Sequence, residues 1–134
     1  MNQLYLLDTS ICVFFLRKNL QIAEQLMRVG LNSCRISEIT VAELLYGAYC
    51  SKQPEKNLSL IKSFCNQFTI VSLSGSLEDF AQQKFFLRKK GIIIEDMDLL
   101  IGATAVHNDF ILVTDNLKHF ERLEGLKIEN WIRR

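Results

Sequence analysis

Four acidic residues stand alone in runs that are otherwise apolar, and they are the chemistry this chain offers first. Asp8 ends the apolar run 4–7, Glu43 is the only charge in 39–50, Asp98 is the only charge in 97–106, and Asp115 follows the apolar stretch 110–114. An ionised carboxylate buried without a partner costs several kcal/mol, comparable with the net stability of a whole domain. Something must compensate. If the four converge, their repulsion is relieved by protonation or by a hard cation, and an all-oxygen ligand set suits Mg²⁺ or Mn²⁺, which keep several waters and bridge to phosphate. Such a site orients and activates water for in-line attack on a phosphodiester and neutralises charge developing on the phosphorus oxygens.

Each acid also has a local reading. Asp8 fits a helix N-cap, Glu43 the last member of a Thr40-x-x-Glu43 capping box, Asp115 a turn residue, and Asp98 the partner of a buried arginine. For the convergence to be empty, all four local readings must hold at once. Glu95 and Asp96 suit the first turn of a helix and need no further role. His107 and His119 fall near helix ends and read as surface or capping residues rather than bases. No G-x-x-x-x-G-K-[ST] loop, H-E-x-x-H or Ser/His/Asp pattern competes.

The elements that must position these acids follow from periodicity. The unbroken runs 4–7 and 110–114 suit parallel strands buried on both faces, which places Asp8 and Asp115 at carboxyl ends, where open α/β sheets bind ligands. Further strands are expected over 33–36, 69–73 and, at an edge, 127–132. Helices are expected over 10–18, from 20 to Gly30 with Leu20, Ala23 and Met27 recurring, over 39–50, and from Pro54 with Leu58, Ile61, Cys65 and Phe68 repeating. Another runs from near Ser76 to Lys90, presenting Leu77, Phe80, Ala81 and Phe85 to the core. The last two cover 95–106 and 117–123. Asp98 shares a face with Gly102 and Ala105, small residues that permit close packing. Regular alternation of strand and helix predicts an α/β fold, a three-layer α/β/α sandwich around a central twisted parallel sheet with right-handed crossovers.

Size and charge bound the rest. The 134 residues, 49% hydrophobic and 23% charged, suit a single globular domain spanning 1–134. A net charge of +1 leaves no global field for a polyanion, so any such site must be local. Cys12, Cys34, Cys50 and Cys65 form no C-x-x-C pair, which argues against zinc and for small buried hydrophobes. Without a basic leader or a membrane-length run, the expectation is a reduced, cytoplasmic protein.

The residues now assembled carry a resemblance. LLDTSI at 6–11, ITVAELLYGA at 39–48, DMDLLIGATA at 96–105, LVTDN at 112–116 and FERLEGLKIENW at 120–131 are similar to the PIN-domain family, and within it to the VapC-type toxins of bacterial type II toxin–antitoxin pairs. The resemblance implies a twisted parallel sheet between helices and a divalent-metal-dependent endoribonuclease, with Asp8, Glu43 and Asp98 as its acids. Asp115 or Asn116 fills the fourth position; with Asn116 the site is three acids and an amide. Ser10 and Thr114 match hydroxyl positions that support the acids or metal water. The resemblance further implies structured RNA such as tRNA as substrate, a homodimer, and a cognate antitoxin whose tail occupies the active-site groove in a toxin–antitoxin hetero-oligomer. Two other classes remain beside it: a catalytically inactive PIN-fold interaction protein, and a phosphohydrolase on another doubly wound fold, which the lack of a second Asp close after Asp8 disfavours.

Two surface features bear on partners. Arg17, Lys18, Arg88, Lys89 and Lys90 are candidates for a basic rim that guides an RNA backbone to the acids. Phe14, Phe15, Tyr46 and Tyr49 are candidates for an apolar groove or seam that receives an antitoxin helix or a second copy.

Overall fold

The computed structural model describes residues 3–133; the ends of the expected 1–134 domain, residues 1, 2 and 134, lie outside the described residues. In chain order the elements are β1 (Tyr5–Leu7), α1 (Thr9–Leu16), α2 (Leu20–Val29), β2 (Cys34–Ser37), α3 (Glu38–Tyr49), α4 (Pro54–Cys65), β3 (Thr69–Val71), α5 (Leu77–Lys89), α6 (Asp96–Asn108), β4 (Ile111–Val113), α7 (Leu117–Phe120) and β5 (Lys127–Glu129). The strands are all parallel, in the order β3-β2-β1-β4-β5. The chain steps outward from β1 to β3, then returns to β4 and β5. Its direction of winding therefore reverses between β1 and β4, and the carboxyl ends of those two strands border the crevice of a doubly wound sheet.

Strand residues alternate between the sheet's two faces, and each face builds its own core. Leu7, Ile36 and Val113 join Ile11, Ile22, Leu44, Phe64 and Trp131 on the side of α1, α2 and α4. Leu6 and Leu112 join Leu87, Leu99, Ile101 and Phe120 on the side of α5, α6 and α7. This is the three-layer α/β/α architecture expected. Cys12, Cys34 and Cys65 are buried in it and Cys50 is exposed. Among the described residues no helix is long and apolar enough to cross a membrane.

Two helices turn a different stripe inward from the one their spacing suggested. On α2, Leu20 and Met27 are 75% and 85% exposed, while Ile22 and Leu26 are buried. Both stripes have helical period, so spacing could not choose; Gln21 does, bonding the backbone of Arg133 through both ends of its amide, at 2.7 and 3.3 Å. On α5, Phe80 packs on the core as expected, but Leu77 and Phe85 are 54% and 55% exposed, Ala81 is exposed too, and Leu87 is the buried residue. Here α5 lies antiparallel on α6, held at one end by His107 Nδ1 to Asp79 at 2.7 Å and at the other by Lys84 to Asp96 at 2.9 Å. Leu87 and Phe80 pack into the core on the side these pairs flank, which leaves Phe85 and Phe86 facing water.

Candidate active site

Asp8 is set by the sheet itself. Its backbone N–H donates to Val113 O at 2.9 Å, extending the β1–β4 ladder by one residue and bringing Asp8 beside Thr114. It is also the N-cap of α1, in extended backbone, with its side chain accepting from Thr9 N at 2.8 Å. The cap reading and the site reading thus coincide. On the other carboxylate oxygen, Thr114 Oγ1 donates at 2.8 Å and Ser10 Oγ at 3.4 Å. Asp8 is only 5% exposed, and Thr114 is fully buried. Burial pushes the Asp8 carboxyl above the ordinary 3.8, the bonds from Thr114 and Thr9 pull it back, and the charge of Glu43 pushes it up again.

Glu43 is not part of a capping box. The N-cap of α3 is Ser37, whose hydroxyl accepts from Thr40 N at 3.2 Å, so Thr40 already lies inside the helix. Ser37 ends β2 and starts α3 without a loop, which fixes the helix tightly to the sheet. Thr40 instead turns its hydroxyl to Thr9 Oγ1 at 3.0 Å, and Thr9 Oγ1 donates to Glu43 Oε1 at 2.7 Å. Each hydroxyl has one proton. With that of Thr9 given to Glu43, Thr40 is the donor to Thr9, and a two-step relay aims the glutamate. Neither threonine was a site residue on sequence grounds, because they meet across 31 positions of chain.

Asp98 sits in the first turn of α6, where the helix dipole favours negative charge. It pairs with no arginine; its partner is His119 of α7, with Nδ1 at 3.2 Å from Asp98 Oδ2. The same ring nitrogen lies 2.9 Å from Asn116 Nδ2. Burial pushes the Asp98 carboxyl above 3.8, the charge of Asp8 adds to this, His119 opposes it, and Glu95 and Glu43 add again. His119 and Glu95 therefore belong to this environment, although sequence reasoning gave the first a surface role and the second none. The close approach of α6 to α7 and the segment after it depends on Gly102, where a Cβ would collide with Leu123 Cδ2 and stand 3.5 Å from the Phe120 ring.

The turn after β4 divides its two candidates. Asp115 accepts from Asn130 Nδ2 at 3.1 Å, toward the C-terminal segment, whereas Asn116 faces His119 and through it Asp98. Asn116 N also donates to Thr114 Oγ1 at 3.0 Å, so Thr114 links this turn to Asp8.

Asp8, Glu43 and Asp98 thus feel one another's charge at the carboxyl end of the sheet. Among the described residues, no three His, Cys, Asp or Glu side chains form a ready-made cation cage. The donor chemistry still fits Mg²⁺ or Mn²⁺: the ligands are oxygens, two of the carboxyls are held in a state that favours gaining positive charge, and Mg²⁺ commonly takes only one or two carboxylates, filling the remainder with water and phosphate. Beside Glu43 opens a groove of about 350 Å³ between α1, α3 and α4, lined by Val13, Leu16, Arg17, Leu60 and Ile61. Of the candidate aromatics, Tyr46 and Tyr49 are exposed, while Phe14 and Phe15 pack on the core.

Comparison with known proteins bears on the family and on the fold. The model of the PIN domain matches residues 5–126. Ribonuclease VapC2 of Haemophilus influenzae Rd is 38% identical over 130 residues, covering 96% of this chain and 98% of the relative. The tRNA(fMet)-specific endonuclease VapC of Salmonella typhimurium LT2 is 32% identical over 130 residues, covering 95% and 97%. Among solved structures, DNA-bound VapBC from Salmonella typhimurium is 31% identical with a TM-score of 0.92, over 97% of this chain and 99% of that one. VapBC2 from Rickettsia felis, bound to a DNA fragment from its promoter, is 33% identical with a TM-score of 0.90, over 97% and 100%.

Proposed function

The chain belongs to the PIN-domain family, in its VapC group, and from that membership we propose that it is a ribonuclease toxin of a toxin–antitoxin pair, hydrolysing RNA with Mg²⁺ or Mn²⁺. The observation that carries the reading is Asp8 at the β1–β4 crevice, clamped by Thr114 and Thr9 and within reach of the charges of Glu43 and Asp98. When bound, the cation supplies a Lewis acid that activates water and neutralises charge on the phosphoryl oxygens.

The chain's own residues do the rest. Thr114, Thr9 and Ser10 hold Asp8 in one rotamer, and the Thr40–Thr9 relay holds Glu43. Asp8 and Asp98 would bind the ion, Glu43 would complete the acidic set, and the fourth position goes to Asp115 or to Asn116, whose amide nitrogen lies 2.9 Å from the same His119 Nδ1 that lies 3.2 Å from Asp98. The substrate class is RNA, with structured RNA such as tRNA suggested by the endonuclease named above. The groove beside Glu43 suits the apolar tail of a cognate antitoxin, and its single cation, Arg17, suits an acidic side chain on that tail. The working assembly is a homodimer within a toxin–antitoxin hetero-oligomer in the cytoplasm.

The test is to incubate the purified protein with total RNA in Mn²⁺ or EDTA, beside Asp98→Asn. Cleavage is expected only for the unsubstituted protein with metal. Cleavage that survives both chelator and substitution would remove the metal mechanism. One competing reading, a non-catalytic interaction protein, starts from the observation that no ready-made cage forms among the described residues. Intact RNA under every condition, with an antitoxin still bound, would establish it.

A further inference from the structure

A chain of contacts through the turn after β4 joins Asp8 to Asp98. Thr114 Oγ1 donates to Asp8 Oδ2 at 2.8 Å and accepts from the backbone N–H of Asn116 at 3.0 Å. The Asn116 amide lies 2.9 Å from His119 Nδ1, and that nitrogen lies 3.2 Å from Asp98 Oδ2. Asn116 is exposed and stands between two of the proposed ion ligands, its backbone tied toward one and its side chain toward the other. With the amide nitrogen toward the ring, Nδ1 cannot serve both neighbours. It carries in the ring plane either a proton or a lone pair. A proton would meet the amide's own protons, and a lone pair would meet an ionised carboxylate, which only accepts. Exchanging the two ends of the amide removes both conflicts. The amide oxygen then accepts from Nδ1–H along the shorter contact, and the same positive edge of the ring faces Asp98 Oδ2. Oxygen and nitrogen of an amide are told apart by such bonds.

We propose that Asn116 is a hydrogen-bond donor to the scissile phosphate and not a ligand of the ion, and that His119 is the positioning residue that keeps its N–H end outward. The proposal rests on the ribonuclease reading and deepens it by dividing the site: Asp8, Glu43 and Asp98 for the cation, the Asn116 amide for the anion. An amide N–H has no lone pair to give a metal. A phosphoryl oxygen gathers charge as water attacks, and a donor already held in place stabilises that charge without having to reorganise. His119 touches neither ion nor substrate in this scheme. It acts through Asn116 by accepting no second orientation of the amide.

The experiment titrates Mn²⁺ alone into the full chain by calorimetry and, separately, follows cleavage of total RNA at saturating Mn²⁺. Asn116→Ala is expected to leave the Mn²⁺ dissociation constant unchanged, where loss of support for a ligand costs roughly ten- to a hundred-fold, and to slow cleavage by roughly a hundred-fold, as loss of one oxyanion donor does. Asn116→Asp, with oxygen at both ends, is expected to cleave no faster than Asn116→Ala. In a His119→Leu background nothing orders the amide, so Asn116→Ala is expected to cost little more, and His119→Asn, whose own amide reaches the place of Nδ1, to recover part of the rate. Nitrogen-15 spectra of the two imidazoles at about pH 9, where the rings are neutral, are expected to show the His119 proton on Nδ1, with His119→Leu assigning the signal. Circular dichroism confirms the fold of each variant. A proton on Nε2, Mn²⁺ binding weakened by Asn116→Ala, unchanged cleavage by Asn116→Ala or Asn116→Asp, or additive losses in the double variant would each overturn the proposal. A protein that binds Mn²⁺ and cleaves RNA while giving any of these results loses only this inference; one that binds no Mn²⁺ and leaves RNA intact loses the ribonuclease reading with it.

Discussion

Thr114→Val tests the clamp on Asp8 with little change of shape. The substitution exchanges a buried hydroxyl for a methyl and removes the 2.8 Å bond to Asp8 Oδ2, together with the acceptor of Asn116 N at 3.0 Å. A hydrogen bond to a buried charged group is worth about 1.5–3 kcal/mol, and an orphaned N–H adds roughly 1 kcal/mol, so the loss is about 3 kcal/mol. For 134 residues the unfolding entropy is near 0.28 kcal/mol/K, and the melting temperature should fall by about 10 °C at neutral pH. The loss must depend on pH in a defined direction. Folding already raises the Asp8 carboxyl above 3.8, so ionising it in the native state lowers stability as pH rises through that window; without Thr114 its folded value rises further. The difference between original and variant should be full above the variant's folded value and shrink as pH falls toward 3.8. Chemical denaturation at several pH values measures it, with Thr114→Ser restoring most of the loss. An equal deficit at every pH, or a serine variant as weak as valine, would show that Thr114 acts by packing and refute the electrostatic account.

Asp98→Asn removes a carboxylate that burial and the charges of Asp8, Glu95 and Glu43 disfavour, so the metal-free variant should melt no lower than the original at neutral pH. Mn²⁺ at a hundred times its dissociation constant should raise the original by about 10 °C, from about 2.7 kcal/mol of linkage, and leave the variant unmoved; thermal shift with and without EDTA reads both. Thr9→Val should cut RNA cleavage about ten-fold or more by releasing Glu43 while costing roughly 1 kcal/mol of stability, and Thr9→Ser should restore the rate in the same gel assay. Gly102→Val forces a branched side chain into space held by Leu123 and Phe120 and should cost about 2–3 kcal/mol in urea denaturation.

The acids were legible because a lone charge in an apolar run is a local signal. Asp8, Glu43 and Asp98 stand out without knowledge of any contact, and alternation of strand and helix suffices for the layered fold. What stayed hidden is what depends on rotation or on distant pairing. On α2 and α5 more than one stripe has helical period, and the structure buries Ile22 and Leu26 on the first and Leu87 on the second, with Gln21 and the two ion pairs of α5 flanking those faces. The Thr40–Thr9–Glu43 relay and the approach of His119 to Asp98 join residues from different elements. Thr40 even misled, because T-x-x-E is a capping pattern wherever the helix begins at Thr40, and here it begins earlier at Glu38.

The bond between Thr114 and Asp8 spans 106 positions, and β4 is the strand that lies against β1 on the side away from β2. In order of synthesis Asp8 precedes that hydroxyl by 106 residues, so the bond cannot form until β4 has been made. The acidic site is therefore closed by a late, long-range contact: until β4 is laid against β1, Asp8 has its local bonds from Thr9 and Ser10 but not the one from Thr114.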